Sequence, residues 1–92
     1  MTEVREARIL LADDHALVRR GVRLILDNEP GLTVVAEASD GAEAVALART
    51  RDIDLAVLDV AMPRMTGLQA ARELSRHRSP PRILMLSMHG DV

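Results

Sequence analysis

The stretch Ala7–Asp13, ARILLAD, decides the fold: four consecutive apolar residues, Ile9 to Ala12, run straight into an acidic pair, Asp13 and Asp14. A short apolar run without alternation, closed by a polar end, is the pattern of a strand buried on both faces of a parallel sheet. It predicts a central first strand whose carboxyl end is acidic. From His15 to Asp27 the period changes: Leu17, Val18, Gly21, Val22, Leu24 and Ile25 recur at helical spacing, with Arg19, Arg20 and Arg23 on the other side.

Pro30 and Gly31 punctuate the end of that helix, and LTVVAEA, residues 32–38, supplies the β-branched residues of a second strand. Asp40 precedes Glu43 by the spacing of a capping box and opens an Ala-rich helix from Gly41 to Thr50. DLAVLD, Asp54 to Asp59, reads as a third strand. Thr66 and Gln69 form a second capping-box pair ahead of a third helix through Leu68, Ala71 and Leu74. Ser79, Pro80 and Pro81 break that helix, and RILMLS, Arg82 to Ser87, reads as a fourth strand. Strands alternating with helices in this way make an α/β chain with right-handed parallel crossovers.

Composition narrows the function. The 92 residues suit one domain, and no apolar stretch approaches the ~20 residues that cross a bilayer, so no membrane contact is expected. The first residues, MTEVREAR, carry both charge signs and lack the apolar segment of a secretory signal, which with the absence of cysteine points to a cytoplasmic protein. A net charge of −2 with dispersed arginines disfavours a phosphate-backbone-binding surface, and an aromatic content of 0% removes any platform for stacking bases. All 12 basic residues are arginine, so no lysine chemistry is available.

In an open parallel sheet, ligands bind beyond the carboxyl ends of the strands. Those ends carry Asp13 and Asp14 on the first strand, Asp59 on the third and Ser87 on the fourth. Each acid taken alone is an ordinary helix cap, and Ser87 an ordinary strand-end hydroxyl. Together, with the first and third strands adjacent, they form a cluster of mutually repelling carboxylates that calls for a hard, oxygen-seeking cation such as Mg²⁺. A carboxylate beside a cation-neutralised phosphoryl group can attack phosphorus, with Asp59 as nucleophile. A histidine metal site is not expected: His15 reads as an exposed first-turn residue, and His77 and His89 fall at a helix end and in a loop. Met62, Met65, Met85 and Met88 read as core or loop packing, and the arginines as a solvated face.

The segments ILLADDHALVRRGV, AEASDGAEAV, LAVLDVAMPRMTGLQ and RILMLS together resemble the receiver domain of bacterial two-component response regulators, and the first two are most similar to the NarL/FixJ branch. The resemblance covers residues 1–92 and implies a flavodoxin-like, doubly wound parallel sheet. It implies that Asp59 accepts a phosphoryl group from a sensor histidine kinase, that Asp14, Asp59 and the backbone carbonyl of Ala61 hold Mg²⁺ with Asp13 acting through water, that Pro63 and Gly67 shape the loop, and that Ser87 is the switch hydroxyl. Thr66 replaces the Asp or Asn often found before that glycine.

The family order is 2-1-3-4-5, whereas this chain supplies strands 2-1-3-4 and lacks the fourth helix, fifth strand and fifth helix. It therefore reads as a partial receiver domain, not an enzyme, with DNA bound only through an output domain of a longer protein that controls transcription. A fourth strand left at the sheet edge implies a homodimer or domain-swapped assembly, or else a fragment of a longer protein. Two other readings stand beside this one. A haloacid-dehalogenase-like phosphotransferase would need a second acid where Ala61 stands and a lysine; a structural dimerisation module would have a vestigial acidic pocket.

Overall fold

A computed structural model describes residues 6–87, so the expectations for Met88 and His89 lie outside the described residues. The chain runs β1 (Ala7–Ala12), α1 (Ala16–Asp27), β2 (Leu32–Ala38), α2 (Gly41–Thr50), β3 (Leu55–Asp59), α3 (Gly67–Leu74) and β4 (Arg82–Leu86). The strands form one parallel sheet in the order β2-β1-β3-β4. Element order matches the periodicity reading; boundaries shift by a residue, so that Asp13 and Ser87 stand just beyond their strands. Among the described residues no helix is long and apolar enough to cross a membrane.

Because β1 is central, its side chains are buried alternately on two faces. Leu10 and Ala12 join Ala36, Ala38, Ala56 and Leu58 beneath α2 and α3, which contribute Ala44, Val45, Ala70 and Leu74. Ile9 and Leu11 join Val34 and Val57 on the opposite face, where Val22 and Leu26 of α1 pack. Alanines dominate the first face and let the two helices sit close to the sheet.

The β1–β2 register slips by one residue: Ile9 pairs with Val34, but Leu10 pairs with Ala36. With a side-chain period of two, this extra residue reverses which parity faces which side, so that Val34 lies under α1 while Ala36 and Ala38 lie under α2 and α3. Polar side chains serve the backbone groups there. Val34 N–H donates to Asp27 Oδ1 at 3.1 Å, and Arg51 Nη1 donates to Val35 O at 3.0 Å.

Helix α1 departs from expectation. Helical spacing with arginines opposite predicts an amphipathic helix, and an apolar face of that kind normally packs inward, yet Leu17, Leu24 and Ile25 are 82%, 61% and 68% exposed. The repeat is too wide for one helix on one sheet: Val22 and Leu26 take the sheet side, Val18 is half-buried, and Leu17, Leu24 and Ile25 turn outward. Its amino end is capped by neither Asp13 nor Asp14. His15 is the N-cap, without a side-chain capping bond. The helix ends at Asp27, where the periodicity places its end, and Gly31 takes a left-handed turn at φ 90°.

The arginines are not simply a solvated face. Arg19 Nε donates to Glu37 Oε1 at 2.9 Å, its Nη1 donates to Asp13 O at 2.7 Å, and Arg23 also grips Glu37. Arg8 Nε donates to Asp52 O at 2.7 Å. Burial pushes the Glu37 carboxyl up, but the hydrogen bonds from Arg19 and Arg23 outweigh it and hold the pKa below its ordinary 4.5.

Two predictions come from this packing. Gly67 Cα lies so close to the end of β3 that an added Cβ would stand 2.1 Å from Asp59 O and 2.9 Å from Met85 Cε. Gly67→Ala is therefore expected to cost about 1–3 kcal/mol in urea denaturation, because backbone faces it and the chain must shift. The depressed Glu37 pKa means that the unfolded chain binds this proton more readily. Its contribution is present above 4.5 and lost as pH falls through the lower folded value. Glu37→Gln should lower stability by roughly 0.5–1 kcal/mol at neutral pH, and the difference from the wild type should vanish in denaturation curves taken at low pH.

Candidate functional site

The carboxyl ends of β1 and β3 are neighbours, since Ala12 pairs with Leu58 in a parallel ladder. The connection after β1 leads to α1 on one face, and that after β3 leads to α3 on the other. Their divergence makes this rim the topological switch point, the place where open α/β sheets take ligands.

Asp13, Asp14, His15 and Asp59 each offer an atom to a group whose members all lie within 4.8 Å of one another. Asp13 and Asp59 are buried, while Asp14 and His15 face outward. The three acids expected at this rim are thus together. Asp13 Oδ1 accepts from His15 N–H at 2.8 Å, a local turn that directs the chain from β1 into α1. The Asp59 carboxylate is approached by Ala61 N–H, 3.4 Å from Oδ1.

His15 is exposed, as expected, but is also a member of the cluster. Its Nδ1 lies 3.1 Å from Asp14 Oδ1 and 3.3 Å from Asp13 Oδ1. The signal was its place directly after the acidic pair, where the turn swings its ring back toward them. His77 lies past the end of α3, and its Nε2 is buried without a hydrogen-bond partner.

The donor set fits a hard divalent cation. Among the described residues no arginine pairs with the Asp13, Asp14 or Asp59 carboxylates, because Arg19 and Arg64 are engaged with Glu37 and Asp40. Three acids at one rim with no guanidinium counter-charge favour a bound cation, and carboxylate and carbonyl oxygens are Mg²⁺ ligands.

The loop from Asp59 to Gly67 runs past this cluster. Ala61 is exposed, Met62 is buried, and Pro63 O accepts from Met65 N–H at 2.7 Å. Gly67 N–H donates to Val60 O at 3.0 Å, closing the loop, and Thr66 and Gln69 form the full capping box at the start of α3. Met65 and Met85 pack against the larger core. Ser87 follows Leu86, the residue paired with Asp59, and is exposed at the same end of the sheet.

The Asp40–Glu43 pair is only half a capping box. Asp40 Oδ1 accepts from Glu43 N–H at 2.8 Å, but the Glu43 carboxylate turns to Ser39, accepting from its N–H and its hydroxyl. Asp40 is buried, and its second oxygen takes Arg64, an ion pair that helical spacing alone did not reveal. The Glu43 N–H, followed by Arg64, holds the Asp40 carboxyl below the usual range.

Comparison with known proteins matches residues 9–92 to the response regulator receiver domain. Response regulator UvrY of Escherichia coli K12 is 44% identical over 81 residues, covering 88% of this chain and 37% of that protein. The nitrate/nitrite response regulator protein NarP of the same organism is 43% identical over 88 residues, covering 96% and 41%. The chain thus spans well under half the length of these relatives. The signal receiver domain of the putative response regulator NarL from Mycobacterium tuberculosis superposes with a TM-score of 0.87 at 38% identity, covering 95% of this chain and 70% of that one. With residues 9–92 matched by the family model and its sheet in the order β2-β1-β3-β4, the chain belongs to the response regulator receiver domain family.

Proposed function

We propose that this receiver domain accepts a phosphoryl group on Asp59 from the phosphohistidine of a sensor histidine kinase, and so controls a transcriptional output carried by a longer cytoplasmic protein. The observation that carries the reading is the convergence of Asp13, Asp14 and Asp59 from two strand ends. In the transfer, an Asp59 carboxylate oxygen bonds to phosphorus as the bond between phosphorus and the kinase imidazole nitrogen breaks. The electron pair stays on that nitrogen, and the product is an acyl phosphate.

Asp14, Asp59 and the backbone carbonyl of Ala61 would hold Mg²⁺, with Asp13 acting through water. The ion would neutralise the charge of the carboxylates and phosphoryl oxygens. Asp59 is kept in place by its buried position at the end of β3 and by the loop that Pro63 and Gly67 shape. Ser87, exposed at the same end of the sheet, would donate its hydroxyl to the phosphoryl oxygens in the active arrangement. DNA contact would belong to an output domain. The edge position of β4, with Leu84 half-exposed, supports self-association as a homodimer or domain-swapped pair.

Incubation with acetyl phosphate and Mg²⁺ should add one phosphoryl mass to the intact protein, labile to hydroxylamine, and Asp59→Asn should abolish it. An adduct that persists in Asp59→Asn, or that forms equally in the presence of a chelator, would falsify the assignment. A vestigial pocket would instead give neither adduct nor Mg²⁺-dependent shifts.

A further inference from the structure

Within the loop after Asp59, Arg64 has φ 66°, alone among the described non-glycine residues in having a positive value. Such a backbone is disfavoured for any residue with a Cβ, and glycine would adopt it freely. The arginine side chain brings what glycine cannot: Nε and Nη2 donate to Asp40 Oδ2 at 3.0 and 2.6 Å.

The pair is asymmetric, with the Arg64 side chain 75% exposed and that of Asp40 5%. An exposed ion pair between two mobile side chains contributes little. Here the acceptor is fixed, because its other oxygen caps α2 through Glu43 N–H. The next residues repeat the attachment through the backbone: Gly41 N–H donates to Met65 O at 3.1 Å, and a Cβ on Gly41 would stand 2.1 Å from that oxygen. The loop is therefore tied to α2 at two successive residues, and to its own base through Gly67 N–H and Val60 O. Residues Ala61 to Pro63 span the interval between these ties.

We propose that Arg64, by gripping Asp40, is a positioning residue that presets the loop carrying Asp59 and Ala61 for a divalent cation; this rests on the metal-binding reading above. Groups that orient ligands without touching the metal commonly change its affinity by about 10–100-fold, and ordering the loop before binding removes a cost otherwise incurred on binding.

The test is Mg²⁺ titration followed by backbone amide NMR in the wild type, Asp40→Asn, Arg64→Gly, Arg64→Lys and the Asp40→Asn/Arg64→Gly double variant. Asp40→Asn keeps an oxygen for the Glu43 cap, and in Arg64→Gly relief of the left-handed backbone offsets part of the cost of leaving Asp40 without its ion pair, so both should remain folded with cooperative melting. Each should nevertheless weaken Mg²⁺ binding on the order of tenfold, the double variant no more than either single one, and Arg64→Lys should restore part of the loss. Amide exchange across Ala61 to Met65 should quicken in parallel. Wild-type affinity in Arg64→Gly, with unchanged exchange in the loop, overturns the proposal. A wild type indifferent to Mg²⁺ overturns the metal reading instead, and the exchange rates then decide the clamp: faster exchange in Arg64→Gly and Asp40→Asn supports it, and unchanged exchange rejects it.

Discussion

The parallel pairing of β1 with β3 sets the position of everything that follows. Parallel strands bring their carboxyl ends to one rim, and the register from Ile9–Leu55 to Ala12–Leu58 leaves Asp13 and Asp59 as the first polar residues past a continuous apolar ladder. The residue before each acid is buried, Ala12 on one strand and Leu58 on the other. Lateral movement of either acid would therefore drag core side chains out of register. Packed interiors resist such sliding, so the carboxylates are held close despite their repulsion.

Helix approach on the α2–α3 face depends on small residues. Alanines at positions 12, 36, 38 and 56 floor this side of the sheet, and Gly41 and Gly67 allow backbone contact with Met65 and Asp59. In a chain without aromatic residues, the core is made of short aliphatic side chains whose fit depends on such proximity. The loop after Asp59 is accordingly enclosed by backbone on two sides, by the start of α2 and by its own return at Gly67.

Element order and the acidic rim were legible in the sequence because apolar runs and their polar ends are local signals. ARILLAD and DLAVLD each state a buried strand and its acidic terminus without reference to the rest of the chain. The slip at Val35 was not legible: LTVVAEA reads as a regular strand, and the extra residue is accommodated through Asp27 and Arg51, which belong to other elements. The Arg64–Asp40 pair was hidden for the same reason, since it joins a loop to a helix start distant in sequence. For α1, periodicity showed an apolar side but not which residues the sheet takes: Leu26, outside the repeat, packs inward with Val22, while Leu17, Leu24 and Ile25 lie outward.

The distribution of arginines explains why the rim retains its negative character. A guanidinium bonds most strongly through a fixed fork, and two are committed elsewhere: Arg19 to Glu37 and the Asp13 carbonyl, Arg64 to Asp40. Neither is free to swing onto the carboxylates of Asp13, Asp14 or Asp59 without leaving another acid unpaired, which at Asp40 would be a buried one. The same side chains that brace the surroundings of the site thus keep positive charge out of it. Among the described residues no guanidinium is paired with these three carboxylates, so a small cation from solution displaces none, and its binding can respond to how firmly those braces hold.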